Sequence, residues 1–401
     1  MLNFFFLNPQ RVKNMNTASI TFRQVVCLTA VVITLSSCGS VSNPESAIND
    51  LQIRPGVSET QVDSIFSTLR YYPNQTQLSV VFFDDTSATF YGAIRAADTL
   101  HTIDNQQSVF EIGSLSKVFT STLLAELAWQ DKLQLDESIQ KYLDFPLNDS
   151  LRITFKQLAT HTSGLPRIPS GFIWESLWHM DNPYKDYDEE KLRTYLSSQM
   201  ELKYKQDKAF QYSNIGAGIL GYVLTKVEGA SYENMLQQMI FKPLDMHQST
   251  TQRPLVAENL VPGLTKRGKT ATNWDLAAIP GAGAILSSSQ DLARFGQANL
   301  DPNNEVMNFQ QQKAFSVDNK MDLALGWFIL KQDSTSRWHW HNGGTGGYRS
   351  SMVMNIDNKK GVAVLSNISA GHDHAGKIDS LGFFLLKSME FQMSTPEIQN
   401  F

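Results

Sequence analysis

The sequence predicts an α+β fold, an antiparallel sheet flanked by helices and built from both chain ends, with a mainly helical segment inserted between its halves. Three observations carry this. Leu78–Phe83 and Ala88–Ile94 read as strands joined by the turn Asp84-Asp85-Thr86-Ser87. Trp327–Leu330, Arg337–His341, Tyr348–Met354 and Gly361–Leu365 are spaced like an antiparallel meander near the other end. Between them run helical patterns broken by Gly/Pro loops such as Thr162-Ser163-Gly164-Leu165-Pro166. The helical patterns cover 114–130, 153–161, 189–200, 214–228, 232–241 and 289–298, the last capped by a serine, and 376–393 closes the chain as an amphipathic helix. The expected domain spans 58–396, with sheet-containing parts at about 58–130 and 270–396 and a helical part at about 131–269. A cleft between the two parts is the default site.

Composition narrows the function. The chain has 401 residues, 42% hydrophobic and 18% charged, with 7 Trp and 23 Phe, enough for a substantial core. A formal charge of −5 leaves no basic footprint for nucleic acid. There is no internal repeat and no low-complexity block.

The first residues predict an address rather than part of the fold. Arg11, Lys13 and Arg23 are the only charges before Cys38, and they precede an apolar run, Val25–Leu35, too short for a permanent membrane span. The run ends in Leu35-Ser36-Ser37-Cys38-Gly39, which resembles a bacterial lipoprotein signal: residues 1–37 would be removed and Cys38 lipidated. A plain secretory signal or a buried apolar segment is the alternative. Met15 also opens a complete leader. Loss of three positive charges takes −5 to −8, so the acyl chain rather than charge would hold the protein on a membrane. Cys27 and Cys38 are the two cysteines, so the mature chain would carry no disulfide. Residues 38–57, rich in Ser, Asn and Pro, read as a tether.

The chemistry centres on Ser114-Leu115-Ser116-Lys117. A serine at a helix start is ordinarily an N-cap. Lysine one turn on is not explained by that role. It lies on the same helix face, where burial and the positive helix terminus would favour its neutral, basic form. A serine hydroxyl needs such a neighbour to become a nucleophile. Tyr212-Ser213-Asn214 opens a second helix; a phenol can serve as acid or base, and an amide can both donate and accept. The plain alternative is a buried tyrosine and an asparagine cap. His341-Asn342-Gly343-Gly344-Thr345-Gly346-Gly347 offers close backbone approach and free N–H groups for an oxyanion. A tight hairpin with an incidental histidine is its plain alternative. A nucleotide loop lacks the required Gly-Lys-Ser/Thr and helix. His372-Asp373-His374 reads as a solvated cluster rather than a metal site. Phe172–Met180 would wall the cleft or fill the core. No zinc-peptidase His-Glu-x-x-His and no Gly-x-Ser-x-Gly elbow occur.

Together, in this order and spacing, Ser-x-x-Lys, Tyr-x-Asn and His-x-Gly resemble the penicillin-recognising serine hydrolases: class C β-lactamases, DD-peptidases and β-lactamase-fold esterases. Leu158–Pro166, Gly281–Arg294 and Trp340–Tyr348 add to the resemblance, which covers roughly residues 60–395. It implies a β-lactamase/DD-peptidase-like fold and a Ser114 acyl-enzyme. Lys117 and Tyr212 would share the proton traffic, with the base left open between them. Asn214 would hold the substrate amide or the lysine, and the N–H groups of Ser114 and Gly344 would form the oxyanion hole. Where class C enzymes carry Lys-Thr-Gly, this chain has His341-Asn342-Gly343. A histidine near its ordinary pKa would supply only part of the lysine's charge at neutral pH. The expectation is therefore an exported, lipid-anchored serine hydrolase without metal or organic cofactor, acting on a D-Ala-type peptide, a β-lactam or a small ester. A penicillin-binding sensor or a non-catalytic binding protein of the same fold is the alternative.

Overall fold

The computed structural model describes residues 44–172, 179–333 and 336–391. The expected leader (1–37) and Cys38 lie outside them, as does most of Phe172–Met180. In chain order the first elements are β1 (Ile48–Asp50), α1 (Glu59–Leu69), β2 (Gln77–Asp84), β3 (Ala88–Ala96), β4 (Thr99–Ile103), β5 (Val109–Glu111) and α2 (Ser116–Trp129). Then come α3 (Phe155–Ala159), α4 (Glu189–Thr194), α5 (Asn214–Glu228), α6 (Tyr232–Leu236), β6 (Leu286–Ser288), α7 (Ser289–Leu300) and α8 (Glu305–Gln311). The last are β7 (Phe315–Ser316), β8 (Met321–Leu323), β9 (Phe328–Lys331), β10 (Arg337–Gly344), β11 (Arg349–Asn355), β12 (Lys360–Ser366) and α9 (Lys377–Phe391).

Ten strands among the described residues form one sheet in the order β1-β4-β3-β2-β12-β11-β10-β9-β8-β7, antiparallel except for β1 on β4. The two chain ends meet where β12 pairs with β2, Val364 opposite Val80 and Val362 opposite Phe82. Strand β2 is buried on both faces, so it reads as a continuous apolar run. Val80 and Phe82 join one core with Val62, Ile65 and Leu69 of α1 and Leu381 and Leu385 of α9. Val81 and Phe83 point the other way, into a core with Phe119 and Leu123 of α2 and Leu292 and Phe295 of α7. The result is three layers.

The differences from expectation have identifiable causes. The tether does not run free to residue 57: Ile48, Asn49 and Asp50 pair with Thr99, Leu100 and His101. Backbone pairing to an open sheet edge needs no apolar side chain, and all three β1 residues are exposed, so hydrophobic patterning could not show it. The helix expected from Ser114 begins at Ser116, after a 3₁₀ turn over Gly113–Leu115, and Ser114 caps nothing. The asparagine cap at 214 belongs instead to Ser213, whose hydroxyl accepts from Gly216 N at 2.9 Å. A serine does cap α7: it is Ser288, accepting from Asp291 N.

Candidate active site

Strand β5 pairs with β6 and delivers the chain to the 3₁₀ turn that presents Ser114. The turn is set by close backbone packing. A Cβ on Gly343 would fall 1.8 Å from Ile112 O, and one on Gly113, at φ +51°, would fall 2.6 Å from Gly344 N. Both positions therefore require glycine, and the end of β10 lies directly against the serine turn. Ser350 Oγ, from the neighbouring β11, donates to Ile112 O at 2.7 Å and braces the same residue.

The fold brings Ser114, Lys117 and Tyr212 together. Lys117 Nζ lies 2.9 Å from Ser114 Oγ and donates to Ala282 O at 2.6 Å. The Gly281–Ile285 stretch is held on α2 for this purpose, by Thr120 Oγ1 donating to Gly281 O and Ile285 N donating to Ser116 Oγ. Lys117 is only 2% exposed. Burial, aided by the Arg167 guanidinium, holds its pKa well below that of an ordinary lysine. Tyr212 is hydrogen-bonded to the Ser114 hydroxyl; burial pushes its pKa up to about 12 against that bond and nearby Arg167. Lys117 Nζ lies 5.0 Å and Arg167 Cζ 4.9 Å from the centroid of the Tyr212 ring. The cluster thus holds an amine that gives up its proton more readily than an ordinary lysine and, at neutral pH, a protonated phenol.

Asn214 Nδ2 donates to Tyr184 Oη at 3.2 Å, while Oδ1 is buried without a partner among the described residues, an acceptor open to a ligand N–H. His341 sits in β10 itself, which continues to Gly344 instead of stopping at 341. Its Nδ1 lies 2.6 Å from Asn342 O, an acceptor only, so Nδ1 carries the proton. Burial and Lys117 push the pKa of His341 down to about 3. It is a neutral ring, and the partial charge expected of it is absent.

Sequence reasoning missed four contributors. His161 takes Ser213 N–H on Nδ1 at 3.2 Å and packs 4.6 Å from the Tyr212 ring, so it orients the tyrosine from behind. It stands within the Leu158–Pro166 match, which was the available signal. Arg167 and Tyr184 follow no motif and reach the site through loop folding. Glu111 Oε1, buried beneath the serine turn, accepts from Asn273 Nδ2 at 2.7 Å and Trp274 N at 3.1 Å. Burial raises its pKa.

No group of three or more His, Cys, Asp or Glu among the described residues is placed to hold a metal. His372 and His374 pack instead on Tyr72 and Tyr71, at 5.2 and 4.7 Å.

A large, mostly antiparallel sheet flanked by helices, with Ser114 and Lys117 at the start of α2 against strand β10, defines a class, the proteins of the β-lactamase fold. The chain belongs to the Beta-lactamase family, whose model matches residues 78–383. It is 27% identical over 367 residues to D-alanyl-D-alanine-carboxypeptidase/endopeptidase AmpH of Escherichia coli strain K12, covering 84% of this chain and 88% of that protein. It is 28% identical over 286 residues to Penicillin-binding protein 4* of Bacillus subtilis strain 168, covering 65% of this chain and 61% of that protein. Among solved structures, a beta-lactamase/D-alanine carboxypeptidase from Pseudomonas syringae superposes with a TM-score of 0.66 at 19% identity, over 82% of this chain and 97% of the other. A class C beta lactamase from Rhodobacter sphaeroides gives 0.66 at 18% identity, over 83% and 100%. The likeness to the solved structures shows the fold.

Proposed function

We propose that this chain is an exported serine hydrolase that forms an acyl-enzyme on Ser114 and cleaves a D-Ala-type peptide, a β-lactam or a small ester. The observation that carries this reading is the buried Lys117 amine 2.9 Å from Ser114 Oγ. Lys117, its pKa depressed by burial, acts as the base and takes the hydroxyl proton as Oγ adds to the carbonyl. The oxyanion forms toward the N–H groups of Ser114 and Gly344. Tyr212, protonated at neutral pH, gives its proton to the leaving group as the bond breaks, and Asn214 Oδ1 accepts an N–H of the substrate. Water then adds to the acyl carbonyl and gives a proton to the Tyr212 phenolate, and Lys117 returns its proton to Ser114 Oγ as the ester bond breaks and the acid leaves. The D-alanyl-D-alanine carboxypeptidase name of the E. coli relative favours a D-Ala peptide as the first substrate to try.

Intact mass after incubation with a penicillin, and release of p-nitrophenol from p-nitrophenyl acetate, test the reading. Steady turnover supports the hydrolase, and a lasting adduct supports a penicillin-binding sensor. No adduct and no turnover would leave a non-catalytic binding protein. Ser114→Ala abolishes both signals with the melting temperature unchanged. We further propose that Cys38 carries a lipid anchor on the periplasmic side of the envelope, at the outer membrane in a two-membrane cell. Cys38→Ser then moves the protein from membrane to soluble fractions; retention on the membrane rules the anchor out.

A further inference from the structure

We infer that Arg167 is the receptor for a carboxylate on the acyl portion of the substrate, so that the site selects anionic acyl groups. The inference rests on the reading of Ser114 as the nucleophile. The guanidinium carbon of Arg167 lies 4.9 Å from the centroid of the Tyr212 ring, whose hydroxyl bonds Ser114. Its root is fixed, because Arg167 O accepts the N–H groups of Asn214 at 2.9 Å and Ile215 at 3.3 Å. The side chain is exposed and has no carboxylate partner among the described residues.

The other basic groups around the serine are committed. Lys117 Nζ is buried and bonded to Ser114 and Ala282. His341 donates its one ring proton to Asn342 O. Arg349 is ion-paired with Asp379, which also takes both hydrogen bonds from Asn342 Nδ2. Arg167 is thus the one cation of the cluster, among the described residues, open to a ligand. A guanidinium stacked on an aromatic face keeps its edge N–H groups free for a bidentate carboxylate.

Placement selects the acyl side. Arg167 lies over the face of the Tyr212 ring and is tied to the start of α5, beside the open Oδ1 of Asn214. The leaving group instead departs toward the phenol hydroxyl. Half-esters or half-amides of dicarboxylic acids, and peptides with an acidic side chain on the acyl residue, have this chemistry.

Three esters test the assignment: mono-p-nitrophenyl glutarate, p-nitrophenyl butyrate, and the butyrate ester of 3-hydroxybenzoate, whose carboxylate is on the leaving group. Arg167→Met lowers kcat/KM for the glutarate half-ester about 10- to 100-fold more than for the other two, the value of a charge-assisted bidentate pair. Arg167→Lys restores part of the difference. An equal loss on all three means that Arg167 only tunes Tyr212 and Lys117, and overturns the assignment. A loss confined to the 3-hydroxybenzoate ester overturns the acyl placement. If the wild type turns over none of them, the hydrolase reading fails separately. Calorimetric binding of glutarate monoamide to Ser114→Ala, with and without Arg167→Met, then decides the role of Arg167: lost affinity upholds it, and equal affinity removes it.

Discussion

On one wall of the site, Ser114, Lys117 and Tyr212 stand at or near helix starts, and their polar atoms are joined to one another. On the other, His341–Gly344 run along a strand whose histidine is neutral and whose glycines press against the serine turn. The helical wall holds the groups proposed to move protons. The strand wall supplies shape and backbone. With His341 neutral on the strand side, the exposed charge beside the serine is that of Arg167, on the helical side.

The sharpest way to break this contrast is Lys117→Met. Removing the proposed base lowers kcat/KM about 10²- to 10⁴-fold. Stability moves the other way. A lysine whose pKa is depressed by folding holds its proton less tightly than in the unfolded chain, which destabilises the fold below its ordinary value of 10.5. Methionine fills similar volume without that penalty, so the melting temperature rises or holds at pH 7. A fall in both activity and melting temperature would make Lys117 structural.

Gly343→Ala probes the strand wall. Its Cβ would meet Ile112 O at 1.8 Å, so β10 and the serine turn must separate. The expected loss is about 1–3 kcal/mol in denaturant unfolding, with activity falling in step because the oxyanion donors move apart. Wild-type stability with lost activity would give the glycine a purely chemical role.

The smallest effect belongs to His341→Asn, whose amide can keep the bond to Asn342 O. The unfolded histidine takes up a proton below about pH 6.5, while the folded one resists until about pH 3. Stability contributed above pH 6.5 is therefore lost as pH falls through that window, at about 1.4 kcal/mol per pH unit for this group. His161 and His339, also held below the ordinary histidine pKa, add to the acid sensitivity. The variant unfolds less steeply with acid in urea titrations from pH 7 to pH 5; an unchanged slope would mean that the ring is not buried neutral.

Much of the architecture was legible because local pattern and tertiary role agree. Helix α5 spans the expected 214–228, and β2, β3, β11 and β12 match their apolar runs to within two residues. Strand β1 was not legible, because its pairing uses backbone alone. Strands β7 and β8, two and three residues long, are too short to show a period.

The site divides in the same way. The i, i+3 spacing nominated Ser114 and Lys117, since such positions on a helix are neighbours in any fold, and the resemblance to the penicillin-recognising serine hydrolases added Tyr212, Asn214, His341, Gly343 and Gly344. The electrostatic state of those groups was not contained in the spacing. Whether Lys117 is neutral, whether His341 carries charge and which cation faces the cleft all depend on burial and on groups far apart in sequence. Charge stability depends on the surrounding dielectric and on neighbours in space, and both exist only once the chain has folded.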